Sequence, residues 1–248
     1  MLLDIRGRSR VVIVGREANS FNPLSLEPTA LYDPSNLATL FQDAAMTTPV
    51  TAHNDPVGAM LDLSGNGNHV TQGTAGLRPL YQTGGGLHWL LTDGSDDWLE
   101  ATFAQGFPIE RVMAARNVSY ISSAGLWDGD TLNGLIFESG LDPDLAGFNG
   151  NQINLSGEST DVDMVITERW LDAGGTSRFA VDNNSYVTGD AGGNGAFTGL
   201  ALGSRGGGTN NSNIRFYGGF IRSDVAVLLD ADIARLRTFY AAKQGRSL

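Results

Sequence analysis

Short apolar runs bounded by Gly, Asn, Asp or Pro recur along the whole chain. They fall at 10–14, 57–63, 87–91, 98–101, 111–114, 118–121, 134–138, 152–155, 163–166, 178–181, 197–202 and 214–221, and each predicts a strand. A further strand is expected from Ala30, running into a turn at Asp33 and Pro34, with a single helical turn over 35–41. Short strands at close spacing, separated by turn clusters, mark an antiparallel sandwich. No long pattern of period 3.6 interrupts them, which argues against an α/β fold. One helix is expected over 229–240, with an aspartate as N-cap and a second acid in its first turn. Ile233, Leu236 and Tyr240 share one face, Lys243 sits near the end and Gly245 supplies the stop. The expected fold is therefore all-β, a two-sheet antiparallel jelly-roll sandwich closed by a short C-terminal helix. Residues 1–28 read equally as an N-terminal attachment arm or as an edge strand, and 29–248 as the sandwich body.

Composition agrees with that pattern. The chain has 248 residues, 33 glycines, 8 prolines and no cysteine, and 41% of it is hydrophobic. It can bury a core without disulfides, and thiolate metal sites are excluded. His53, His69 and His88 are too scattered to suggest a metal cluster. Charge changes the picture more. The net charge is −11, yet residues 1–16 carry Arg6, Arg8, Arg10 and Arg16 against Asp4, a net +3, which leaves −14 on the rest. An acidic body is a poor partner for nucleic acid. The basic arm, with its apolar run Val11, Val12, Ile13 and Val14, is a candidate for docking onto a partner by strand addition. No run is long enough for membrane insertion, and the start does not read as a signal peptide. The expectation is a protein made in the cytoplasm without a signal peptide and working on a virion or extracellular surface.

Several blocks resemble a known family. Leu31-Tyr32-Asp33-Pro34-Ser35-Asn36-Leu37, Asp62-Leu63-Ser64-Gly65-Asn66-Gly67-Asn68-His69, Arg78-Pro79 and Asp93-Gly94-Ser95-Asp96-Asp97-Trp98-Leu99 occur in order. Late in the chain come Leu202-Gly203, Phe216-Tyr217-Gly218-Gly219-Phe220-Ile221 and the helix up to Gly245. Together they resemble the laminin-G-like and concanavalin-A-like lectin/glucanase jelly rolls of bacteria and their phages. The resemblance spans 30–245, without a matching block over about 102–195. It implies a jelly-roll fold and, by analogy of context, a phage or prophage structural protein such as a tail fibre, spike or decoration protein.

The candidate chemistry is modest. The turn at 64–68 and the acids of 93–97 read first as structural turns, with Asp93 and Asp96 a weaker calcium candidate. Trp98 reads as core, because it alternates with apolar neighbours. Around Trp127, the acids Asp128 and Asp130 with Asn133 resemble part of a calcium loop, but the closing glutamate of an EF-hand is missing. Calcium is thus possible, and no cofactor is required. Trp127 beside these acids also suits sugar stacking, with Asp and Asn binding hydroxyls. The amide-rich tips at Asn149 and Asn151, and at Asn183, Asn184 and Tyr186, are hairpin turns that could equally rim a glycan site.

Sandwich glucanases carry their carboxylates on one strand as E-x-D-x-E or E-x-D-x-x-E. The nearest run, Glu158 to Asp163, has the wrong spacing, and Glu100, Glu110, Glu138 and Glu168 stand alone. The reading of the sequence is a non-enzymatic carbohydrate-binding or adhesion domain on a phage-like particle, with host glycan and other virion proteins as partners. A homotrimer would suit such a spike. The alternatives are a purely structural virion protein docking through its arm, and a polysaccharide-cleaving glycoside hydrolase with an unrecognised site.

Overall fold

The computed structural model describes residues 21–130, 134–138, 145–155, 161–172, 174–193, 195 and 197–248. Its strands are β1 (Ala30–Tyr32), β2 (Leu40–Phe41), β3 (Ala59–Met60), β4 (Val70–Thr71), β5 (Leu80–Gly84), β6 (Leu87–Leu91), β7 (Leu99–Ala104), β8 (Ile109–Ser119) and β9 (Gly125–Asp128). They continue with β10 (Leu135–Glu138), β11 (Leu145–Phe148), β12 (Gln152–Leu155), β13 (Asp163–Trp170), β14 (Ser177–Val181), β15 (Val187–Gly189), β16 (Thr198–Leu202) and β17 (Asn213–Ser223). One α-helix, α1 (Asp230–Lys243), follows.

These strands form two antiparallel sheets, as the alternating runs predict. An eight-stranded sheet has the order β15-β14-β13-β8-β17-β6-β5, with β1 also paired to β17. A nine-stranded sheet has the order β12-β11-β10-β9-β16-β7-β4-β3-β2. Side chains alternate between faces along each strand, so each sheet can bury one row against the other. On β8, Ile109, Met113 and Ala115 enter the core between the sheets, while Val112 and Ala114 face the other way. That outer face of the eight-stranded sheet is covered by α1 through Ile233, Leu236 and Tyr240. The helix therefore acts as a third layer over one sheet, which explains why β8, β13 and β17 are apolar on both faces.

The helix deviates from expectation at its start. Leu229 occupies the N-cap position without a side-chain cap, and Asp230 lies inside the first turn, paired to Arg178 at 2.6 Å. Its end is anchored by Lys243, whose Nζ donates to Asp33 Oδ2 (2.6 Å) and Ser35 Oγ (2.9 Å). At the front of the chain, residues 23–26 form a 3₁₀ turn, and Phe21 and Leu26 pack on the cluster under α1. The remaining N-terminal residues of the expected docking arm, including Arg6, Arg8, Arg10, Val11, Val12, Ile13, Val14 and Arg16, lie outside the described residues.

The turn at 64–68 is organised by one carboxylate. Asp62 Oδ1 accepts from the N–H groups of Leu31 (2.9 Å) and Ser64 (2.8 Å), and Oδ2 accepts from Asn68 N–H (3.1 Å). His69 Nδ1 accepts from the Asp62 N–H at 3.0 Å. This block is a structural clasp between β1 and the turn.

Candidate functional site

The face of the nine-stranded sheet turned away from the core carries no helix among the described residues. Leu99 and Ala101 of β7 lie in the core. Alternation therefore turns Trp98, Glu100 and Thr102 outward. This corrects the placement of Trp98 in the core: it is the residue next to the core strand position, and its indole is half-buried on the outer face. Cross-strand register sets Glu100 opposite Ala201 of β16, and Ala201 opposite Asp128 of β9. Two residues on, the Asp130 N–H donates to the Thr198 carbonyl at 2.5 Å, holding Asp130 at the edge of the same face.

Glu100 and Asp130 feel one another. Burial, and then the charge of Asp130, push the Glu100 carboxyl above its ordinary value. Asp130 Oδ1 is buried and has no hydrogen-bond partner. Asp128 is fully buried and works differently. Its Oδ1 accepts from the Gly129 N–H (2.8 Å) and its Oδ2 from the Gly206 N–H (3.0 Å). It ties the glycine-rich loop after β16 to the end of β9. The loop then runs close over the site: a Cβ on Gly206 would lie 2.9 Å from the Asp130 carbonyl oxygen, and one on Gly208 would overlap the Trp98 indole. Arg205, on this loop, lies over the Phe137 ring at 5.3 Å and donates through Nε to the Ser123 carbonyl at 3.0 Å. Burial lowers its guanidinium, with Asp128 pulling the other way. The result is a wall of loop, one aromatic ring and two neighbouring carboxyls.

The residues singled out from the sequence scatter more widely. Trp127 is fully buried in the core, its Nε1 donating to Glu168 Oε1 at 2.6 Å, so it presents no face to a sugar. Glu168 sits at the centre of a polar knot: Trp170 Nε1 (2.7 Å) and Arg111 Nε (2.8 Å) also donate to it. Burial pushes the Glu168 carboxyl up, against the pull of Arg111, Trp170 and Trp127. Asn149 and Asn151 contact Ala191 through their backbones, and the pairing of β10, β11 and β12 puts them at the same end of the sheet as Asp128 and Asp130. Asn149 is fully buried and its side-chain amide has no partner, so it offers nothing to solvent. Asn183 and Asn184 are exposed at the β14–β15 hairpin, Asn184 beside Leu155 at the opposite end of β12. Tyr186 lies under the guanidinium groups of Arg178 (4.2 Å) and Arg237 (5.0 Å). Asn133 lies outside the described residues. The amide tips thus do not gather into one rim.

As for metals, Asp128 spends carboxylate oxygens on backbone N–H groups. Among the described residues, Asp93, Asp96 and Asp97 can each bring one oxygen within 4.8 Å of the others. Asp93 Oδ1 already accepts from the N–H groups of Ser95 (2.7 Å) and Asp96 (3.2 Å), which makes the cluster a locked turn before β7.

No family model and no curated protein matches the chain. Its fold does match solved structures. A crystal structure of an arabinofuranosidase complexed with arabinofuranosyl-alpha-1,2-xylobiose aligns with a TM-score of 0.64 at 14% identity, covering 90% of this chain and 65% of that one. The chain thus spans just under two thirds of that enzyme's length. Domain 4 of AbnA, a GH43 extracellular arabinanase from Geobacillus stearothermophilus in complex with arabinotriose, aligns at 0.53 and 14% identity, covering 85% of this chain and 98% of that one. A Trypanosoma rangeli sialidase in complex with sialic acid aligns at 0.52 and 11% identity over 75% of this chain and 32% of that one. At these identities the likeness establishes the β-sandwich fold. Where the sequence reading expected a non-enzymatic adhesin on a phage-like particle, these neighbours are instead named for sugar-processing enzymes, and neither the phage and virion wording nor the homotrimer has support among them.

Proposed function

We propose that this chain is a carbohydrate-processing protein that cleaves a glycosidic bond of a polysaccharide at the outer face of its nine-stranded sheet. The observation that carries this reading is the Glu100–Asp130 pair, two carboxyls on one half-buried face, where burial and then the charge of Asp130 hold the Glu100 proton more tightly. Glu100 is the general acid: a carboxyl kept protonated nearer neutral pH can protonate a leaving glycosidic oxygen. Asp130, whose buried Oδ1 has no hydrogen-bond partner, is the base that activates water. Strands β7 and β9 flank β16, so their backbones stand about 10 Å apart. An acid on one strand and a base beyond the next but one suit inverting hydrolysis, in which a water molecule sits between the two carboxyls. The Trp98 indole, two residues from Glu100 on the same face, supplies a surface for the apolar side of a sugar ring. That solved neighbours carry arabinose-containing oligosaccharides makes arabinan and arabinoxylan the first substrates to try.

The test is release of reducing ends from arabinan, arabinoxylan and bacterial envelope polysaccharides by the full chain, compared with Glu100→Gln. Hydrolysis that drops by about 10²-fold or more in the variant, with unchanged circular dichroism, supports the assignment. Equal hydrolysis by both proteins, or none by the parent on any of these polymers, removes it.

A further inference from the structure

A second surface stands apart from this face. The segment between β17 and α1 is apolar and turned outward: Val225 is 42%, Val227 44% and Leu229 72% exposed. Leu24, on the neighbouring 3₁₀ turn, is 41% exposed. These four are most of the exposed large hydrophobic side chains among the described residues. Val227 and Leu229 line one pocket, and exposed apolar side chains brought together in this way mark a docking site. Their outward orientation is held in place. Leu228 between them is buried, its N–H donating to Glu110 Oε2 (2.7 Å) and its carbonyl accepting from Arg169 Nη2 (2.8 Å). With Leu228 pinned inward, extended backbone turns Val227 and Leu229 outward. A shallow pocket of about 210 Å³ opens between this segment and residues 25–27.

We infer that this patch is the docking surface for the chain's own residues 10–16. The chemistry is complementary. Glu27 and Asp232 line the pocket at the patch, and Arg222 beside it is engaged with the Ala226 carbonyl. The segment 10–16 places Val11, Val12, Ile13 and Val14 between Arg10 and Arg16. It therefore offers an apolar run to Val225, Val227 and Leu229 and a cation on either side to the acids. The distances allow it. Phe21 is fixed edge-on against Phe239 of α1, with ring centroids 6.2 Å apart. From Phe239 back to Leu229 the helix runs about 15 Å. The seven residues from Val14 to Phe21 reach about 24 Å when extended. The described chain also passes the patch at residues 25–27 on its way into the body.

Limited trypsin digestion of the full chain tests this, because the segment carries its own cleavage sites at Arg10 and Arg16. Docked, these sites are cut about tenfold more slowly than in the double variant Val227→Asp, Leu229→Asp, followed by mass spectrometry. The single variant Val12→Asp leaves the patch intact and gives the same acceleration. Both changes lie at surface or arm positions, and hydrolysis of polysaccharide reports separately on the Glu100 face. Equal cutting in the parent and both variants overturns the inference. Protection that fades on dilution also overturns it, since the segment is then held by a second copy.

Discussion

At the scale of single residues, the same side-chain type does opposite work according to what surrounds it. Glu168 and Glu100 are both lone glutamates in the sequence. Glu168 is locked in the core by Arg111 and by two indole N–H groups from different sheets. Glu100 stands half-buried on an outer face, where burial and then the like charge of Asp130 raise it and no cation lowers it. The first is structural and the second is available for chemistry. Glu168→Gln leaves the fully buried Arg111 guanidinium without its counter-charge, and the expected loss of stability is about 3–5 kcal/mol. Guanidinium denaturation followed by the fluorescence of Trp127 and Trp170 measures it, and a loss below 1 kcal/mol contradicts the role given to the knot. Trp98→Ala removes the stacking surface but no carboxyl. It is expected to raise KM for polysaccharide by about tenfold with kcat little changed, as loss of a ring contact worth about 1 kcal/mol or more implies.

Elements show which parts of the fold were legible and why others were not. Runs dense in apolar residues, such as β13 and β17 with both faces covered, were visible, and so was the face of α1 that meets the sheet. β8 reads as two strands in the sequence because Arg116 and Asn117 interrupt it. In the structure Arg116 is paired with Asp163, 47 residues away, so the interruption is polar only locally. β9 reads as a surface turn because Asp128, Gly129 and Asp130 are turn formers. It is a buried strand because Gly206, 78 residues on, donates to Asp128. The site suffered the same way. Trp98 and Glu100 lie in a legible alternation, but Asp130 joins them only through the pairing of β7, β16 and β9. That pairing depends on one glycine. Gly199 has φ +69° at the point where the β16–β7 register shifts, and a Cβ there would overlap the Ala101 carbonyl. Gly199→Ala is expected to cost about 1–3 kcal/mol and to weaken hydrolysis together with stability. Urea denaturation and activity on the same samples check whether the two fall in step.

Over the whole molecule, an acidic body must place its carboxyls where their charge is tolerated, and two of them set opposite limits on the pH range. Asp97 is pushed up to about 7 by burial and then by Asp93 and Asp96, because it closes the turn that leads into β7. Its native form holds a proton that the unfolded chain releases near pH 3.8. The contribution of this group to stability is therefore complete below that value and is lost as pH rises towards 7. Asp43 does the reverse. Hydrogen bonds from Thr47 and Thr48 hold it at about 2, so what it adds is present above pH 3.8 and disappears as pH falls towards 2. Together they place the most stable range in mild acid rather than at neutrality. The expected result is a urea midpoint higher at pH 5 than at pH 8, with Asp97→Asn flattening that slope while leaving the loss below pH 4 unchanged. A parent protein that grows more stable from pH 5 to pH 8, or a variant that keeps the full slope, means the buried acid before β7 is not the group that governs it.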